Sequence, residues 1–331
     1  MDAAFNKKIR TFSVYSAALI IMALAAVYIP LFYIAAVILM PLPLALLVRR
    51  LDLWYSLAAL LLTGVMLFMV TGRLQMAMLI TLQTGPLGIL LGLLFKNGVT
   101  AGRTLVVAIS TSVAITGVTF LLMYLLTGSS PFSLDQVDRS MFHQMKQEIA
   151  ALYAEGMDQD NIKELELVVD RIEALWPVLA ASSSIIWIMV STFFSYSVTR
   201  VSMARLGFHV PPADPFSRWR LPWYIIWGVI AGLALMLAGD ETGAAGMTQA
   251  GKIILYVTGF ILAVLGASVT TFYLKRWVSS RTARLLAVAV LVIFANIFTV
   301  VALVTLGLTD TILNIRRLSA DGRTPEGEEK K

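Results

Sequence analysis

Residues 74–95 read LQMAMLITLQTGPLGILLGLLF, from Leu74 to Phe95, and this stretch decides the fold. At roughly 1.5 Å of rise per residue it is long enough to cross an apolar core of about 30 Å as a helix. Ala77, Thr81, Gly85, Gly88 and Gly92 follow one another at steps of four, four, three and four, so they form one small-residue stripe. Neighbouring helices can approach closely along such a stripe. Pro86 has no amide hydrogen, so the carbonyl of Leu82 loses its helical donor and a kink is expected. Gln83 and Thr84 sit beside it, near mid-span. Such a helix suits a packing hub or the wall of a cavity, and both readings stand at this point.

Working outward, the rest of the chain has the same character. It has 331 residues, 58% of them hydrophobic and only 14% charged, with a mean hydropathy of +0.81. Apolar runs of about 18 or more residues recur throughout, which defines an all-α polytopic membrane protein. The net charge of +6 is no nucleic-acid signal, because the basic residues sit in short loops between spans. The absence of cysteine excludes disulfides, iron–sulfur clusters and thiol catalysis. Lys7, Lys8 and Arg10 precede an apolar run with no small-residue cleavage site, so the first span is expected to be retained.

The chain divides into about nine spans. Span 1 covers about Thr11 to Tyr28 and span 2 about Leu31 to Val48; with Pro30, Pro41 and Pro43 this pair is expected to form a tight hairpin or a tilted, irregular unit. Span 3 covers about Leu53 to Val70, and Thr71-Gly72-Arg73 turns into span 4, which Lys96 closes. Span 5, about Thr104 to Leu126, is polar on one side through Ser110, Thr111, Ser112, Thr116 and Thr119. An acidic stretch follows, with Leu134, Val137, Met141, Met145, Ile149 and Leu152 at helical spacing between a Ser133 cap and a Gly156 stop. A second amphipathic run carries Ile162, Leu165, Val169 and Ile172 up to Trp176-Pro177. These predict an external helical hairpin. Span 6 covers about Leu175 to Val198, span 7 Pro222 to Ala238, span 8 Lys252 to Leu274 and span 9 Leu285 to Leu308.

Lys and Arg in the short loops place the N-terminus on the cytoplasmic side and the acidic hairpin outside. Nine spans then put the C-terminus outside, although Arg316 and Arg317 follow span 9 closely; eight spans is the alternative. The expected organisation is a core over 1–200 carrying the hairpin at 129–173, additional spans over 201–309, and a polar, partly disordered tail over 310–331.

No charged residue falls in mid-membrane, the position that would flag an ion or proton path. His143 and His209 lie in soluble loops, and no metal, nucleotide or dinucleotide motif occurs. No cofactor and no metal site is therefore expected, and no enzymatic activity. The candidate binding residues are polar and uncharged, with one exception. Gln83 and Thr84 either satisfy the backbone freed by Pro86 or contact a ligand, and Asn296 in span 9 has the same two readings. Ser183, within Ser182-Ser183-Ser184, either bonds its own helix or contacts a ligand, and Trp187 either packs in the core or against lipid or offers a ligand a stacking platform. Trp54, Trp176, Trp219 and Trp223 fall at span ends as an interfacial belt. Arg73 is the exception, a cation in an outer turn. It either snorkels to lipid headgroups or pairs with Asp240, Glu241, Asp310 or a ligand. Asp310, Asn314 and Arg316 have the spacing of one helical face, read as a pre-ordered polar end or an amphipathic surface helix.

The order of features resembles known families. Tyr28-Ile29-Pro30, Thr71-Gly72-Arg73 and the run GPLGILLGLLFK from Gly85 to Lys96 make spans 1–6 similar to the membrane-embedded substrate-binding (S) component of energy-coupling-factor vitamin transporters. Over nearly its full length the chain resembles the YybS-like (DUF2232) family of bacterial membrane proteins, whose terminal Gly…Asp…Arg segment would be Gly307, Asp310 and Arg316. The resemblance implies a multi-pass protein of the bacterial cell (inner) membrane. It also implies a six-helix S-component-like core with any site between spans 4, 5 and 6, near Arg73, Gln83, Thr84 and Ser183. Where S components carry AxxxA on helix 1, span 1 has Ser13 and Ala17, and Ala18 is followed by Met22.

Two functions are carried forward. One is a binding or uptake component without its own ATPase, taking a small molecule from the outer side. The other is a membrane scaffold or regulatory partner whose protein partner engages the hairpin or the basic Arg200–Arg220 loop.

Overall fold

The structure is a computed structural model that describes residues 3–128, 136–154, 159–278, 280, 282–284, 286–287 and 296–318. All the regular elements among the described residues are helices. In chain order they are α1 (Ala3–Tyr28), α2 (Pro30–Leu39), α3 (Pro41–Arg50), α4 (Leu53–Thr71), α5 (Leu74–Lys96), α6 (Ala101–Thr127), α7 (Gln136–Ala154), α8 (Gln159–Arg205), α9 (Ile226–Thr242), α10 (Ala245–Trp277) and α11 (Ile297–Leu313). Among the described residues eight segments are long and apolar enough to cross a bilayer, α2 and α3 counting together as one, and α11 is a shorter apolar helix. The expected ninth span therefore differs in its bounds. Its helix starts at Ile297 rather than near Leu285, and 288–295 lie outside the described residues.

Contacts divide the chain into two compact units, residues 1–131 with 187–213, and residues 132–186 with 214–331. In the first unit the prolines shape the start. Ile29 is extended (φ −121°, ψ 96°) because the ring of Pro30 crowds a helical neighbour, and α1 folds back on α2 and α3. Met40 stays helical (φ −57°, ψ −33°) despite preceding Pro41, its amide donating to the Ala36 carbonyl at 2.8 Å. This is the tight hairpin expected of spans 1 and 2. Gly72 takes a left-handed turn (φ +65°) that glycine alone adopts without cost, and α4 reverses into α5.

The small stripe on α5 serves two neighbours. A Cβ on Gly88 would stand 2.7 Å from the Pro41 carbonyl oxygen, and one on Gly92 would stand 2.7 Å from the Val48 Cβ. Gly85 meets the Leu60 side chain of α4, and Thr81 sits against Gly64. Between spans no water is displaced, so close backbone approach and dispersion supply the attraction. Around this hub lie two apolar clusters, one centred on Leu19, Met40, Leu44, Leu47 and Leu67, the other on Leu91, Phe95, Ala108 and Met203.

The second unit contains the hairpin and the C-terminal helices. Phe142, Ile149, Ile162 and Val169 are buried together, with Trp176 edge-on to Phe142 at 5.7 Å. The steps 142–149 and 162–169–176 are sevens, the narrow seam of two facing helices. That corrects the wider stripes expected, because Met141, Leu165 and Ile172 are exposed. Leu134, Ser133 and Gly156 fall outside the described residues. Pro177 does not separate hairpin from span either. Gln159–Arg205 is one helix of 47 residues, roughly 70 Å long, and it runs past Arg200, where a loop was expected. Likewise Lys252 lies two turns inside α10 rather than at its start. At the α10–α11 crossing, a Cβ on Gly266 would collide with the Leu303 carbonyl and one on Gly307 with the Leu262 carbonyl, so the two backbones touch.

Candidate functional site

Inside the first unit, four helices line a small cavity of mixed character. Val37 of α2, Gln83 and Leu87 of α5, Ser112 and Thr116 of α6, and Ile188, Ser191 and Thr192 of α8 line it. Its volume of about 10 Å³ is room for a single water molecule. Helix periodicity explains why α5 is both hub and wall. Gln83 and Leu87 are one turn apart on a face set away from the Gly85–Gly88–Gly92 stripe.

Two of the four lining hydroxyls are already bonded. Thr116 Oγ1 donates to the Ser112 carbonyl at 2.9 Å and Ser191 Oγ to the Ile188 carbonyl at 3.1 Å. Gln83 Oε1 accepts a hydrogen bond from the Tyr33 hydroxyl at 3.1 Å. Ser112 Oγ differs. It is buried, with 8% of the residue exposed, and it has no hydrogen-bond partner among the described residues. A buried hydroxyl without a partner costs about 1–3 kcal/mol, which a water or a ligand group in the cavity would offset. The wall offers an amide and hydroxyls, which can recognise hydrogen-bonding groups.

The sequence candidates distribute unevenly about this cavity. Gln83 lines it. Thr84 is buried one position further on, but its hydroxyl donates to the Ile80 carbonyl at 2.7 Å, not to the Leu82 carbonyl that Pro86 frees. Trp187 is half-buried on α8 beside Ile188 and is not in the lining. Arg73 precedes α5, exposed, its amide donating to Thr71 Oγ1 at 3.2 Å. Ser183 and Asn296 belong to the second unit. Ser183 is exposed, and its Oγ donates to the Ala180 carbonyl at 3.1 Å, a bond to its own helix. Asn296 is no mid-span group. Its Oδ1 accepts from the Thr299 amide at 3.0 Å and caps α11. Ser112 and Thr116, read only as one polar side of span 5, are the lining residues with the clearest signal; Ser191 and Thr192 had none.

The second unit holds a polar cluster of another kind. Asp310, 2% exposed, and Arg316, 4% exposed, form an ion pair at 2.8 Å. Arg316 also donates to the Ser217 carbonyl (2.8 Å), to Ser268 Oγ (2.9 Å) and to the Trp219 carbonyl (2.6 Å). Asn314 takes a left-handed conformation (φ 45°) and exchanges two hydrogen bonds with the Leu318 backbone. The amphipathic surface helix considered for Asp310, Asn314 and Arg316 is thus replaced by a buried clasp that turns the chain back. The partner of Asp310 is thus Arg316. The tail expected from 310 is ordered as far as Leu318; 319–331 lie outside the described residues.

A protein whose described residues form helices, with eight bilayer-length apolar segments among them, is a polytopic integral membrane protein. More specifically, the family model for predicted membrane proteins of the DUF2232 type matches residues 17–311, and the chain belongs to that family. No curated protein and no solved structure matches the chain.

Proposed function

We propose that this protein is a membrane-embedded binding component for a small, uncharged polar solute, without an ATPase of its own, and that the solute's site is the cavity at Gln83. The observation that carries this reading is the unpaired, buried Ser112 hydroxyl facing the same space as the Gln83 amide. The cavity lies among spans 4, 5 and 6, where the S-component resemblance implies a site, with span 2 closing it. At one water in volume it corresponds to a closed state, and a larger solute would require α5 to move. Pro86 leaves the Leu82 carbonyl without a helical donor one turn from Gln83, which makes this the softest part of that wall. No catalytic step is assigned, since the lining pairs no nucleophile with a base. The distribution of Lys and Arg supports a bacterial cell membrane orientation with the N-terminus in the cytoplasm.

Thermal unfolding of the purified protein against a panel of neutral vitamins and metabolites tests the proposal. A solute that raises the transition temperature of the wild type, but not of Gln83→Leu or Ser112→Val, supports it. If no solute stabilises the wild type and both variants are at least as stable, the cavity is a packing defect. A scaffold role acting through the hairpin, whose α8 arm exposes Leu165, Leu167, Val168 and Ile172, is then the better reading.

A further inference from the structure

The described part of the first unit carries ten cations, Lys7, Lys8, Arg10, Arg49, Arg50, Arg73, Lys96, Arg103, Arg200 and Arg205, against one carboxylate, Asp52. All but Arg73 sit where α1, α4 and α6 begin or α3, α5 and α8 end, so the alternation of helix direction gathers them at one end of the unit. Asp52 is already engaged by Lys96 at 3.2 Å. The Lys96 hydrogen bond, and more weakly the field of Lys8, hold its carboxyl below the usual range. Arg50 is exposed, and its guanidinium lies over the rings of Tyr15 at 5.6 Å and Phe208 at 5.9 Å, with no ion-pair partner among the described residues. Stacking on two rings fixes the position of this charge while leaving its donors free.

Beside these cations is an open groove of about 300 Å³ lined by Ile9 and Phe12 of α1 and by Trp54, Tyr55 and Ala58 of α4. Phe12 and Tyr55 meet edge-on at 6.1 Å and form part of its wall. Trp54 is 77% and Ile9 45% exposed, so the groove is an apolar surface open to its surroundings. Lys8 lies one turn before Phe12 on the same face of α1, and Tyr15, under Arg50, three residues after it. An apolar trough rimmed by unneutralised cations, at a span end where headgroups lie, matches one chemical species, a phospholipid with net negative charge.

We infer that the first unit holds one anionic phospholipid, an acyl chain in the groove between α1 and α4 and the phosphate on Lys8 and Arg50. The site is separate from the Gln83 cavity and does not depend on what that cavity binds. Native mass spectrometry of the detergent-purified full chain, with phosphatidylglycerol or phosphatidylcholine added in equal amounts, tests it. Phosphatidylglycerol should be retained at least about tenfold better, given two cations acting near one phosphate. Lys8→Gln with Arg50→Gln should abolish that preference, and Ala58→Trp, which fills the groove without changing charge, should weaken retention of the lipid. Arg73→Gln, at the other end of α4, should change nothing. Equal retention of the two lipids by the wild type overturns the inference, and this arm stands even if a variant fails to fold. So does a preference that survives the double charge variant, retention unaffected by Ala58→Trp, or equal loss on Arg73→Gln, which would make the effect one of overall charge.

Discussion

Replacing Arg316 by methionine should be among the most damaging single changes in the second unit. The side chain would keep an unbranched apolar stem but lose every bond of the guanidinium. Asp310 would then be a carboxylate at 2% exposure with only the Arg316 amide, 3.3 Å away, still donating to it. The Ser217 and Trp219 carbonyls would lose the donors now at 2.8 and 2.6 Å. Breaking a buried ion pair from one side costs about 3–5 kcal/mol. For a unit of this size that corresponds to a fall of roughly 6–20 °C in the transition temperature, on soluble-domain scaling. Asp310→Asn should cost less, near the lower end of that range, because Arg316 retains two carbonyls and the Ser268 hydroxyl. The pair Asp310→Asn with Arg316→Gln removes both charges, so it should cost less than the sum of its parts, with a coupling of about 0.5–3 kcal/mol. Thermal unfolding in detergent, followed by tryptophan fluorescence and by recovery of the monodisperse peak, measures all three. A transition temperature for Arg316→Met within about 2 °C of wild type would refute the clasp as a source of stability, and strict additivity in the double variant would refute the coupling.

Three further outcomes are expected. Gly88→Val should destabilise the first unit by about 1–3 kcal/mol, because the Pro41 carbonyl oxygen stands 2.7 Å from where Cβ would be. Gly117→Ala, with nothing within 4 Å of the new Cβ, should instead gain about 0.5–1 kcal/mol of helix propensity, and thermal unfolding distinguishes the two. Asn296→Ala should cost about 0.5–2 kcal/mol by removing the α11 cap, whereas Asn296→Asp should retain most of it, again by thermal unfolding. In the hairpin, hydrogen bonds to Asp170 and Glu173, both at 2.8 Å, hold the Lys146 ammonium above the usual lysine range. A raised folded value contributes stability that is fully present below the unfolded pKa of about 10.4 and is lost as pH rises through the folded value. The small gap in transition temperature between wild type and Lys146→Met should therefore hold from pH 7 to about 10 and shrink only above it. A gap that closes by pH 9 would exclude this pairing.

What could be read directly was whatever depends on composition along one segment. Spans 1–8 are local properties, since bilayer-length apolar runs fold as helices wherever their neighbours lie. The Gly72 turn, the close-packing stripe and the reversal at Pro30 follow from single residues. Misreadings arose where a neighbouring element overrode a local sign. The second hairpin run and span 6 were read as separate segments, yet one helix carries both from Gln159 to Arg205. The hairpin stripe was placed on Met141 and Leu165 because an amphipathic helix on a surface has a wide face, whereas two helices facing each other bury only a seam at Phe142, Ile149, Ile162 and Val169. Of the candidate residues, Gln83 alone lines the cavity.

The sequence by itself determined the class of protein, the approximate places of its first eight spans and the clustering of positive charge, because each follows from transfer of residue types between water and hydrocarbon. The tertiary structure decided which polar groups meet. Ser112 and Gln83 stand 29 positions apart and share a space only because α5 and α6 both border it. Asp310 and Arg316 are six apart, but they become a buried pair only because the chain reverses at Asn314 and meets the backbone at Ser217 and Trp219. Charge and periodicity are properties of one segment, while pairing and cavity shape are properties of several segments at once, and no single stretch encodes them.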